Sequence, residues 1–77
     1  MRRKQALARL NGLAPRVEEH LAKIRNAPLS QDAPHWKKEV ESWLSQMENL
    51  LPHVGRKTAE QWGAQLGAWK QEMDELP

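Results

Sequence analysis

The sequence predicts an all-α fold, an antiparallel three-helix bundle running up, down, up. Three observations carry this expectation. Apolar residues recur at steps of three and four in three separate stretches. No stretch alternates with the period of two that marks a half-buried strand, and β-branched residues are scarce. Pro28, Pro34, Pro52 and Gly55 fall in the segments between the stretches.

In the first stretch the stripe is Leu7, Leu10, Ala14, Val17, Leu21 and Ile24, which predicts a helix over about 3–26. Pro28 ends it. Pro15 complicates it, because a proline inside a helix removes one backbone bond and its ring clashes with the carbonyl four residues back, here Asn11. Asn11-Gly12 is itself a stop signal. The stripe nevertheless keeps its phase across this point. The expectation is a first helix longer than the other two and kinked or broken near Pro15.

The second stripe is Trp36, Val40, Trp43, Met47 and Leu50, widened by Leu44 and Leu51. It predicts a helix over about 34–51, with Ser30 or Asp32 as its cap, Pro34 in its first turn and Pro52 as its stop. The third stripe is Ala59, Trp62, Leu66, Trp69, Met73 and Leu76. It predicts a helix over about 58–75, opened by a capping box of Thr58 and Gln61. The links are short, and short links favour antiparallel neighbours.

A shift of 26 residues carries Trp36, Val40, Trp43, Met47 and Leu50 onto Trp62, Leu66, Trp69, Met73 and Leu76, four of the five being identical. Shifted the other way, the same pattern meets Leu10, Ala14, Val17, Leu21 and Ile24. This reads either as chance among three helices of similar length or as an old helix duplication. It bears on architecture and is silent on function.

A chain of 77 residues is read as one domain, 1–77. It has no Cys, Phe or Tyr but four Trp, so its core is built from indoles and aliphatic side chains with no disulfide or thiolate staple. Trp43 and Trp69, in mid-stripe, are expected to lie deeper than Trp36 and Trp62. No run approaches the ~20 apolar residues of a membrane span. The basic start is read as part of the mature fold, since Arg9 and Asn11 interrupt its apolar run. A cytoplasmic location is the expectation, and membrane-surface contact through Leu7, Leu10 and Leu13 ranks low.

Catalysis is not expected. Thiol nucleophiles are absent, and Ser30, Ser42, Ser45 and Thr58 lack a nucleophile context. His20, His35 and His53 never pair at the spacing of a helical zinc motif. A domain this small leaves little room for a pocket of ~300 Å³ or more. No cofactor or metal is expected.

Two features remain as candidate sites. Ala59, Gly63 and Gly67 make a ridge of small residues beside the Trp62/Leu66/Trp69 stripe. Each interior glycine costs a helix roughly 1 kcal/mol relative to alanine. The offset expected is an indole of the second helix lying over the glycines; the alternative is a helix of another chain. With half-exposed indole and thioether edges, this gives a candidate protein interface of Trp36, Trp62, Gly63, Gly67 and Met73. The second feature is the charge asymmetry. Residues 1–28 carry seven basic and two acidic side chains, and the rest five basic and eight acidic. Arg2, Arg3, Lys4 and Arg9 are therefore candidate contacts to phosphates or other anions.

The functional expectation is a small, tryptophan-rich, non-catalytic helical module for protein–protein interaction, with an unknown protein or a second copy as partner. The alternative is nucleic-acid binding through the basic first helix.

Overall fold

Each of the three stretches becomes a helix. The computed structural model describes residues 1–76, with α1 at Arg3–Asn26, α2 at Ala33–Leu50 and α3 at Arg56–Glu75. A single 3₁₀ turn, Leu51–His53, links α2 to α3. Among the described residues there is no strand.

The first helix runs through Pro15 as one element, so of the two outcomes expected there the break does not occur. Pro15 and Asn11 are both exposed. The carbonyl that the proline ring leaves without its usual donor therefore faces solvent, where water can satisfy it. The lost bond is cheap on that side of the helix.

The caps differ from those the sequence implies. Asp32 holds the cap position of α2 without a side-chain bond to the helix. The Ser30 hydroxyl instead accepts the Asp32 backbone N–H at 3.2 Å and shapes the preceding turn. Pro34 sits in the first turn as expected. At the far end, Pro52 has no N–H to continue the α pattern, and the chain tightens into the 3₁₀ turn. The third helix starts two residues before Thr58, so no capping box forms there. Gly55 precedes it with φ 84° and ψ 156°, a backbone state that only glycine adopts cheaply. This sharp turn lets the helix begin early.

Contacts at the two ends fix the topology. Arg25, near the end of α1, pairs with Glu72 near the end of α3. The Arg3 guanidinium, at the start of α1, lies 3.5 Å from where a Gly55 Cβ would stand, just before α3. So α1 and α3 point the same way and α2 runs against both. The bundle is elongated, 40 × 18 × 15 Å.

The core is a ladder of side chains from all elements. Ala6, Leu10, Val17 and Leu21 of α1 meet Val40, Leu44, Met47 and Leu50 of α2, with Val54 from the loop. From α3 only Leu66 and Trp69 are fully buried. Contact between α1 and α2 is the most extensive in the fold, while α3 touches α2 far less. The third helix is thus held off its neighbours by large side chains, and this spacing opens the surface described next. Trp69 lies deep, at 4 % exposure. Trp43 is partly buried, as are Trp36 and Trp62, so of the two mid-stripe indoles Trp69 is the one that joins the buried core. The reason is position around the helix: Val40, Leu44 and Met47 take the innermost line of α2, and Trp43 falls to its α1 edge.

Candidate functional site: the groove between the second and third helices

Two grooves lie end to end between α2 and α3 and share Glu48 and Lys70. The larger, about 500 Å³, is floored by Leu44 and Met73 and rimmed by Lys37, Glu41, Ser45 and Asp74. The smaller, about 370 Å³, is lined by Leu51, Leu66, Gly63 and Gly67. These volumes exceed what the chain length led us to expect, because α3 stands off α2. Both are open channels with an apolar floor and charged walls. The Lys70 ammonium crosses between them to pair with the Glu48 carboxylate.

The glycines deepen the channel. A Cβ built on Gly63 or Gly67 meets nothing within 4 Å. No indole covers them, which corrects the expectation of intramolecular packing over the ridge. Their helical cost of roughly 1 kcal/mol each has no offset within the monomer.

The five candidate interface residues do not form one patch. Gly63, Gly67 and Met73 line the channel. Trp62 packs its ring against the core from the second turn of α3. Trp36 is elsewhere, in the first turn of α2 on the side facing α1, where the Lys23 ammonium lies 5.9 Å from its ring centre. That arrangement is a cation–π contact. Leu44, Glu48, Leu51 and Lys70 belong to the channel although sequence reasoning did not select them. Their joint placement depends on how two helices register, which periodicity within each helix does not encode.

The basic candidates are also dispersed. Arg2, Arg3, Lys4 and Arg9 are all exposed, and none makes an ion pair with the described residues. Arg2 precedes the helix in an extended conformation, and at 100° per residue Arg3, Lys4 and Arg9 point in different directions around α1. Arg9 borders a shallow depression with Gln46, Asn49 and Leu50. The first turn of α1 has no acidic residue, so these cations stand at the positive end of the helix dipole.

The structure also assembles a cluster where α1 meets α2. Glu39 receives His35 from its own helix at 2.6 Å and His20 from α1 at 3.3 Å, one on each carboxylate oxygen. The His20 ring stands edge-on to Trp43, with centroids 4.7 Å apart, and its Nδ1 is buried without a hydrogen-bond partner. This cluster ties α1 to α2. Among the described residues no group of three or more His, Cys, Asp or Glu is arranged to hold a metal ion, and no helix is long and apolar enough to cross a membrane.

Comparison with known proteins returns no matching family, no similar characterised protein and no similar solved structure.

Proposed function

We propose that this chain is a non-catalytic protein–protein interaction module whose working surface is the channel between α2 and α3. The observation that carries this reading is the pair of uncovered glycines on an apolar floor. An apolar groove flanked by charges suits an amphipathic helix, whose apolar stripe fills the floor while its polar edges meet the rim. The glycines let the incoming backbone approach closely. The channel's walls carry both signs, Lys37 and Lys70 against Glu41, Glu48 and Asp74, which favours a partner helix of mixed charge over a polyanion.

The test is site-specific photo-crosslinking in the native cell. A photoreactive amino acid at Ser45, on the channel rim, is compared with one at Asn11, an exposed position on α1. The reading requires discrete protein adducts from Ser45 and few from Asn11. Equal yields from both positions, or no protein adduct from Ser45, would reject it.

A second reading, nucleic-acid binding through α1, is favoured by one observation: four exposed cations gather in the first turns of a helix that has no acid there. It predicts binding that weakens steeply with salt.

A further inference from the structure

The exposed face of α3 carries a pattern with a consequence for partner choice. Arg56, Glu60, Gly63, Gly67, Lys70 and Asp74 follow one another at steps of four, three, four, three and four. Such residues line one face of a helix. That face lies one residue around from the core stripe, on the side of the α2/α3 channel. It is uncovered: Arg56 and Glu60 have side-chain exposures of 95 % and 69 %, and both glycines are open.

The order of charges along this face is plus, minus, glycine, glycine, plus, minus. Turned end over end and laid against itself, the face is complementary throughout. With a two-fold axis at Gln65, Arg56 meets Asp74 of the copy, Glu60 meets Lys70, and Gly63 meets Gly67. Each pairing occurs twice by symmetry, as an isologous contact requires. A parallel arrangement would instead set each charge against its own kind. We infer that the partner of this face is a second copy of this chain, docked antiparallel, α3 against α3, with the glycines at the crossing point. This rests on the interaction-module reading and names its occupant.

Three further features agree. The glycines lack any steric reason within the monomer, whereas two helices crossing at small residues bring their backbones close. Leu51 and Met73 flank the crossing and supply apolar surface from the channel floor. The pairs already present, Arg56 with Glu60 and Lys70 with Glu48, can extend into a network across the axis. The face is a single helix stripe, and the association expected of it is weak, in the micromolar range or above.

The test is sedimentation equilibrium of the full chain from about 10 µM to 1 mM, the range of weak association. The wild type should approach twice the monomer mass. Glu60→Lys and Lys70→Glu each place like charges at both symmetric pairs and should weaken association roughly tenfold. An equimolar mixture of the two should associate at least as tightly as the wild type, because only the mixed dimer sets every charge against its opposite. Gly67→Leu should dissociate the dimer with helicity retained and no loss of melting temperature, since a Cβ at Gly67 meets nothing within 4 Å and points into the open channel. A wild type monomeric throughout overturns the inference, as does a dimer indifferent to these changes or a mixture no tighter than its components. A monomeric wild type whose Ser45 probe still captures another polypeptide removes only the self-pairing. A monomer with no Ser45 adduct removes the module reading as well.

Discussion

Replacing Trp69 by alanine should nearly detach the third helix. Trp69 is 4 % exposed, and with Leu66 it is one of two fully buried side chains that α3 contributes to the core. A buried indole removes about 200 Å² from water, worth about 5 kcal/mol at 25 cal/mol per Å². Truncations of buried Trp cost about 3–5 kcal/mol. A chain of this length has a total stability of about 4–12 kcal/mol at typical values per residue. The loss is thus a large share of the whole, and it falls on the helix with the least other attachment. Trp43 supplies the internal control, because it is only partly buried and its loss should cost less. Urea denaturation followed by circular dichroism at 222 nm measures both. We expect Trp69→Ala to shift the midpoint far more than Trp43→Ala, with a shallower transition if α3 frays before the α1/α2 pair. Equal shifts for the two variants, or a Trp69→Ala midpoint close to wild type, would refute the claim that this indole pins α3.

Gly55→Ala should destabilise by about 1 kcal/mol or more, since φ 84° is costly for any residue with a Cβ; the Arg3 side chain leaves room, so a thermal melt reads the backbone term. Gly12→Ala should act in the opposite direction, adding up to about 1 kcal/mol of helix stability, because nothing lies within 4 Å of the new methyl; an unchanged or lowered melting temperature would contradict this. His20→Phe keeps a ring against Trp43 while removing a buried nitrogen that has no partner. Relief of about 1 kcal/mol should outweigh the loss of the Glu39 contact, raising the melting temperature by less than the ~4–8 °C that a full 1 kcal/mol would give. If α1 binds nucleic acid, the logarithm of affinity should fall linearly with the logarithm of salt, and Arg2→Ala with Arg9→Ala should flatten that slope; at physiological salt we expect no binding tighter than micromolar.

The sequence by itself determined the fold class and its order of elements. Helical periodicity is a property of neighbours three and four residues apart, and it is written out in full between Leu7 and Ile24, Trp36 and Leu50, and Ala59 and Leu76. Where local chemistry had two outcomes, the tertiary structure chose. Pro15 was compatible with a break, but its exposed position made the missing bond affordable within one helix. Thr58 had the signature of a cap, but the left-handed turn at Gly55 started α3 earlier. The repeat of Trp36 and Trp43 in Trp62 and Trp69 looked like a repeat of roles. In the fold Trp69 is buried among three elements, while Trp43 rests at an edge against His20. The channel, and the meeting of His20 with the His35–Glu39 pair, were beyond any reading along the chain. Both depend on the rotation and spacing of one helix against another, which are set by the sizes of the side chains between them, and no spacing within a single helix records that.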